Sequence, residues 1–202
     1  MQEELIVFTR HPEPGKAKTR LIPALGAEGA AELHRKMTEH TIAQAKSLKN
    51  SRSTTIAVHF TGGTVTQMQN WLGSELRYYP QQSGDLGDRL INAFQTAFNS
   101  GATSAIAIGT DCPELSTEQL AIAFTKLISH PLVIGSASDG GYYLIGLQTL
   151  IPELFQTISW STNIVFSQTL EIAKKLQLEP FHLPTLNDID RPEDLQKIAH
   201  FL

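Results

Sequence analysis

The 202-residue chain is short of several things, and each shortage closes off a class of protein. It has one cysteine, Cys112, so no intrachain disulfide forms, and a reducing compartment, the cytoplasm, is the expected setting. The start, Met1-Gln2-Glu3-Glu4, is acidic where a secretory signal would be basic. No apolar run approaches the roughly 20 residues that a membrane-spanning helix needs. There is no excess of positive charge: the formal net charge is -4 and the pI near 6.0, which argues against a nucleic-acid-coating surface. The seven histidines lie far apart with no H-x-x-x-H spacing, so zinc is not suggested. No internal repeat or low-complexity tract is present.

What is there begins with a basic loop. Directly after the apolar run Leu5-Ile6-Val7-Phe8 come Thr9, Arg10, Gly15, Lys16, Lys18 and Arg20. Four cations within eleven residues cannot all sit beyond a Debye length of ~8 Å from one another, even at roughly 3.3 Å per extended residue. Such crowding is explained if a phosphate-bearing ligand neutralises it, and the loop's place at the carboxyl end of a buried first strand is where open α/β sheets bind ligands. Two common phosphate binders are excluded. Ala17 follows Gly15-Lys16 where a Walker loop needs Ser or Thr, and no G-x-G-x-x-G follows the first strand.

Periodicity gives a β-α-β-α-β rhythm for the first half. Strands are expected at 5–8, 54–60 and 76–79, with helices at 27–49 and 65–72. A helix opening at Gly84-Asp85-Leu86-Gly87 and running to about Asn99 precedes a strand at 105–108, and Ser116 with Gln119 has the pattern of a capping box. The strand candidates 132–135 and 142–145 are separated by only six residues, too few for a parallel crossover, so they should be antiparallel. A helix at 162–176, a strand at 179–183 and a helix from Pro192 to Phe201 complete the chain. The expectation is one domain over 1–202 with an α/β fold, a three-layer α/β/α arrangement around a mostly parallel, mixed sheet with one antiparallel strand.

Asp111 follows the 105–108 strand, a position from which a carboxylate projects into the crevice that also receives the basic loop. Mg²⁺ commonly takes one or two carboxylates and fills its shell with phosphate and water, so Asp111 with Asp188 or Asp190 would suffice. Asp190 can equally be the N-cap of the last helix, with Pro192 behind it. Gly84, Asp85, Gly87 and Arg89 offer backbone N–H groups and one cation to a phosphate or base, or form a plain capped turn. Asp139-Gly140-Gly141 is either a hairpin turn or a substrate-facing surface with Asp139 as base. Trp160 is either an apolar staple beside a Ser161-Thr162 cap or a platform stacking on an acceptor ring. Cys112 has an adjacent carboxylate and no partner base, which marks it as structural.

Read in order, Pro14-Gly15-Lys16-Ala17-Lys18-Thr19-Arg20-Leu21, Gly84-Asp85-Leu86-Gly87-Asp88-Arg89, Gly109-Thr110-Asp111-Cys112-Pro113, Asp139 to Leu147 and Asp188-Ile189-Asp190-Arg191-Pro192-Glu193-Asp194-Leu195 form a set. Spanning nearly the whole chain, this set resembles the bacterial glycosyltransferase-like family of small GT-A-fold proteins known as radical-SAM/selenodomain-associated transferases. The resemblance implies a nucleotide-diphospho-sugar transferase fold with Asp111 on a divalent metal, Mg²⁺ or Mn²⁺, at the donor diphosphate. Thr110-Asp111-Cys112 supplies one carboxylate where many such enzymes have Asp-x-Asp, which is why Asp188 or Asp190 is needed. The family is also similar to phospholactate and phosphoenolpyruvate guanylyltransferases, whose Lys-Ser-Arg-Leu stretch matches Lys18-Thr19-Arg20-Leu21. The Gly-Gly-rich segment with Arg-Met-Gly of molybdopterin-type nucleotidyltransferases is missing.

The leading expectation is a metal-dependent glycosyltransferase, with Lys18 and Arg20 balancing phosphate charge, Thr9, Arg10, Gly15, Lys16 and Thr110 near the phosphates, and Asp139, Gly140, Gly141 and Trp160 near a small-molecule acceptor. The alternatives are a nucleotidyltransferase acting on a phosphorylated small molecule and a nucleotide-binding protein without catalysis.

Overall fold

A computed structural model describes residues 2–198. Seven strands form one sheet in the order β3-β2-β1-β4-β6-β5-β7. They are β1 (Glu3–Arg10), β2 (Thr54–Thr61), β3 (Arg77–Pro80), β4 (Ser104–Ile108), β5 (Leu132–Ala137), β6 (Tyr142–Leu147) and β7 (Pro180–Leu186). All pairings are parallel except those of β6, which runs against both β4 and β5. The short 138–141 link is what forces that reversal.

The helices are α1 (Ile22–Leu48), α2 (Val65–Leu72), α3 (Leu86–Asn99), α4 (Thr117–Lys126) and α5 (Val165–Lys175). Strand alternation sorts them into two layers. On β1, Leu5 and Val7 pack with Ile42 and Leu48 of α1, Met68 of α2 and Phe124 of α4, whereas Ile6 packs with Leu90 and Phe94 of α3 and Ala173 of α5. A third, smaller cluster of Leu21, Leu33, Met37, Ile189 and Ile198 ties the basic loop to α1 and to the end of the described chain. Leu33, Met37 and Ile42 are the expected buried stripe of α1.

Four local details differ from the sequence-based reading. Helical geometry begins at Ile22 but is broken at Gly26 (φ 72°), a backbone state that glycine adopts without a Cβ clash, and resumes at Ala27. Ser161 and Thr162 do not cap α5. Ser161 turns left-handed (φ 64°), Thr162 Oγ1 donates back to the Ser159 carbonyl, and the helix begins three residues later. The final segment, Pro192–Ile198, is a 3-10 helix; its expected continuation to Phe201 lies outside the described residues. Asp190 turns its carboxylate to Lys18 and Arg20 instead of to the turn, and the Asp194 carboxylate takes the Asp190 and Arg191 N–H groups.

Candidate active site

The topology brings the chain's chemistry to one edge of the sheet. Six strands present their carboxyl ends there, and the reversed β6 presents its amino end, so segments distant in sequence become neighbours. The result is a cleft of about 850 Å³, a size that suits a small-molecule ligand. Its floor is fixed by three buried hydroxyls: Thr9 of β1 lies 3.1 Å from Thr38 of α1 and 3.4 Å from Thr110 after β4.

Lys18 is the centre of the charged end. Its backbone is left-handed (φ 47°), a state that costs a non-glycine residue about 1 kcal/mol or more, and its side chain is only 4% exposed. The ammonium lies 2.8 Å from Asp111 Oδ1 and 3.7 Å from Asp190 Oδ1, and donates to the Ile189 carbonyl. Arg20 pairs with the other oxygen of Asp190. The Ile189 N–H in turn donates to the Asp111 carbonyl at 2.9 Å. Thus the basic loop, the end of β4 and the end of β7 are held together by charge and by backbone.

The acids of the cleft are not equivalent. Burial opposes ionisation of Asp111, but the adjacent Lys18 ammonium and the His34 imidazole outweigh it and hold the carboxyl below its ordinary range. Asp188, accepting from Ser138 Oγ at 3.2 Å, is pushed upward by burial and by the neighbouring Asp139. Asp139 Oδ1 accepts from the Gly141 N–H at 2.8 Å, bracing the hairpin tip. Among the described residues, no three His, Cys, Asp or Glu side chains gather as a metal cage. The donors fit a hard cation that takes one or two carboxylates, Asp111 and Asp188, with ligand oxygens for the rest. Both Asp190 oxygens face cations, which suits it less to metal than to holding Arg20 and Lys18.

The other expected residues divide. Arg10 and Trp160 line the cleft with Thr9, Thr110, Asp139 and Gly141. Lys16 is exposed and pairs with Glu13, and Gly15 forms the turn beside it, so this part of the basic loop does not line the cleft. Asp85 caps α3 in a box completed by Asp88, with Gly84 before it in a positive-φ turn. Arg89 donates to the Gly84 carbonyl and reaches Gln81. Gly87 lies against the Phe155 carbonyl, with no room for a Cβ. The carbonyl of Gly140 accepts from Phe166, and its Cα is so close to Asn163 that an added Cβ would sit 2.1 Å from the Asn163 carbonyl oxygen. Burial and then the charge of Asp111 push the Cys112 thiol strongly upward, which makes it unreactive.

Sequence reasoning missed several lining residues. His34 of α1 bonds the Arg10 carbonyl through Nε2 at 2.9 Å, and burial lowers its proton affinity. Gln81 bridges the carbonyls of Thr9 and His59. Tyr142, Ser138, Arg191 and Lys197 also line the cleft. For Gln81, Ser138, Tyr142 and Arg191 the only signal was adjacency to strand ends or acids already marked, and His34, in the middle of α1, and Lys197 had none.

No curated protein matches the chain. A protein of Desulfovibrio desulfuricans G20, provisionally described as a nucleotide-diphospho-sugar transferase, is 31% identical and superposes with a TM-score of 0.87, over 94% of this chain and 82% of that one. A nucleotidyl transferase from Methanothermobacter shares the fold at 13% identity (TM-score 0.68, covering 98% and 97%). So does Rv0371C from Mycobacterium tuberculosis H37Rv, solved as a manganese complex, at 8% identity (TM-score 0.57, covering 100% and 99%). These structural neighbours confirm the mixed-sheet nucleotide-diphospho-sugar transferase fold. Residues 42–162 match the family described as "Uncharacterized protein conserved in bacteria (DUF2064)", and the chain belongs to that family.

Proposed function

We propose that this protein is a nucleotide-dependent transferase that takes a nucleotide-sugar donor and passes the sugar to a small-molecule hydroxyl. One observation carries the reading: Lys18 and Arg20 of the first loop pair with Asp111 and Asp190 from two other strand ends, and Arg20, Asp111, Asp188 and Asp190 line a single cleft beside the buried Lys18. The 31% identical relative provisionally described as a nucleotide-diphospho-sugar transferase supports it.

In this reading Asp111 and Asp188 hold Mg²⁺ or Mn²⁺, which supplies positive charge to the diphosphate oxygens. Arg10 and Arg20 add to that charge from the protein side, and Thr9 and Thr110 keep the loop and the metal ligand in register. Stabilising a departing nucleoside diphosphate in a crevice is effective because a unit charge pair at 4 Å is worth ~4 kcal/mol at an effective dielectric of 20 but ~1 in water. Asp139 accepts the proton of the acceptor hydroxyl as the new glycosidic bond forms and the sugar–phosphate bond breaks. The base or its ribose lies toward the first turn of α3, where Leu86 lines the cleft and the Asp85–Asp88 box fixes the turn behind it.

A second reading, nucleotidyl transfer of the guanylyltransferase kind, draws on the cation count. Arg10, Arg20, Arg191 and Lys197 all line the cleft, enough for a nucleoside triphosphate and a phosphorylated acceptor together. Product retaining label from α-labelled GTP would select this reading, and label arriving from a sugar-labelled donor would select the first. A thermal-shift screen of nucleotides and nucleotide-sugars with and without Mn²⁺ identifies the donor, since a ligand at a hundred times its Kd stabilises by about 2.7 kcal/mol. Asp111→Ala should abolish the Mn²⁺-dependent part of that shift; an unchanged shift would remove Asp111 from the metal site. Binding with metal but no transfer from any donor would leave a nucleotide-binding protein without catalysis.

A further inference from the structure

The two acids proposed for the metal follow strands that are not neighbours. β6 and β5 separate β4 from β7, and three strand spacings of about 4.8 Å put the ends of β4 and β7 roughly 14 Å apart, too far for Asp111 and Asp188 to share an ion. The chain after β7 closes that gap by folding back toward β4: the Ile189 N–H reaches the Asp111 carbonyl at 2.9 Å, and Ile189 is buried. Behind it, Leu186, the last residue of β7, is also buried, and its carbonyl accepts from the Ser138 N–H at 3.0 Å. Only Asn187 and Asp188 lie between these two fixed residues.

Glu114 holds that pair. The Asn187 N–H donates to Glu114 Oε2 at 3.0 Å, and the Asn187 side-chain amide lies 3.4 Å from both Glu114 oxygens. Among the described residues no cation pairs with Glu114, and its side chain does not line the cleft, so Asn187 is what the carboxylate holds. Glu114 is itself firmly placed. Cys112 and Leu115 beside it in the turn are buried, and the Leu115 N–H donates to the Cys112 carbonyl at 3.1 Å. Asp111 opens the same turn, which therefore meets the 187–189 span at two points: Glu114 with Asn187, and the Asp111 carbonyl with Ile189. Asp188 is the residue between the two ties.

Resting on the reading that Asp111 and Asp188 share a divalent metal, we infer that Glu114 is the positioning residue that brings Asp188 into register with Asp111. It touches neither metal nor substrate and acts through Asn187. One exposed hydrogen-bonded carboxylate adds little to the stability of a fold. Here its loss leaves a two-residue span tied only at Leu186 and Ile189, with Ser138 Oγ alone on the Asp188 carboxylate at 3.2 Å. The cost falls on the ion, which needs both carboxylates in place at once, and the fold is spared.

Binding of Mn²⁺ alone, read from the loss of the free-ion EPR signal well below each variant's Tm, tests this without turnover. Glu114→Ala should leave the Tm close to that of the parent and weaken Mn²⁺ binding about 10-fold, the low end of the range for partners that orient metal ligands. Glu114→Gln removes the same negative charge but keeps an oxygen for the Asn187 N–H, and should recover most of that affinity. In an Asp188→Asn background, Glu114→Ala should cost no further affinity. Three results overturn the inference and leave the transferase reading standing: Glu114→Ala binding Mn²⁺ as the parent does, Glu114→Gln as weak as Glu114→Ala, which makes the effect one of charge, or an equal loss in the Asp188→Asn background. A parent that takes up no Mn²⁺ sinks the shared metal itself, and the inference with it.

Discussion

The two ends of the cleft are built on opposite terms. At the charged end, strong groups meet one another: Lys18 reaches Asp111, Asp190 and the Ile189 carbonyl, and Arg20 reaches Asp190. At the apolar end, Phe8, Leu90 and Ile145 line the wall, and Tyr142 Oη and Trp160 Nε1 are covered by protein without a hydrogen-bond partner. The charged end therefore holds itself together without ligand, and a ligand must compete with protein carboxylates for the cations.

The junction between the ends is the 138–141 hairpin, and breaking it should have the largest effect. Gly140→Ala puts a Cβ 2.1 Å from a backbone oxygen of Asn163 at a φ of 91°, so the hairpin tip and the loop carrying Trp160 must separate. We expect a loss of about 3 kcal/mol or more in urea unfolding, with nucleotide binding impaired. Parent-like nucleotide binding would mean that the charged end does not depend on this hairpin.

Lys18→Met comes next. It leaves Asp111 and the Ile189 carbonyl without their cation, and because Asp111 is 51% exposed the cost is discounted to about 2 kcal/mol from the 3–5 of a fully buried pair. The sign of the pH effect follows from the lowered Asp111 carboxyl. Its contribution is present above the unfolded value near 3.9 and is lost as pH falls through the lower folded value. Asp111→Asn should thus flatten the acid limb of the stability profile below pH ~4. In a double-mutant cycle, Lys18→Met in the Asp111→Asn background should cost less than in the parent; equal costs would mean the pair is not coupled.

How much of this was visible beforehand depends on the range over which each feature is decided. Strand runs such as Ala105-Ile106-Ala107-Ile108, the Ser116–Gln119 capping box and the reversal forced by a short link are local, and the structure contains each of them. The seven-strand order, with β6 inserted between β4 and β5, is not local. Residues at strand ends were legible because α/β sheets put ligands there, which is how Asp111, Asp139, Asp188 and Arg20 were reached and are found around one cleft. What could not be read was partnership. Nothing around Asp190 in sequence says that its carboxylate would turn to Lys18 and Arg20, while Asp194 takes the N–H groups of Asp190 and Arg191. Nor does Lys18 differ from Lys16 until the fold buries one against Asp111 and leaves the other with Glu13. Tyr142 looked like a strand residue and no more, because an unsatisfied hydroxyl is a property of surroundings that only the packed chain creates.

The smallest effect should be the most discriminating. Asp188 is the one acid of the cleft whose carboxyl is raised, first by burial and then by Asp139, so the protonated form is the one the fold prefers. The sign is the reverse of that for Asp111: the stabilising contribution is complete below the unfolded value near 3.9 and disappears as pH rises through the higher folded value, so at pH 7 the ionised group is a small burden. Asp188→Asn should relieve it and raise stability at pH 7 by under about 1 kcal/mol, while Asp111→Asn lowers it. A metal bound between the two carboxylates inverts this order, because it needs Asp188 ionised. With Mn²⁺ and nucleotide present, Asp188→Asn should become the less stable protein, read as a smaller ligand-induced shift in Tm. If the variant stays more stable than the parent under saturating Mn²⁺ and nucleotide, Asp188 is not a ligand, and the charged end works through Asp111 alone.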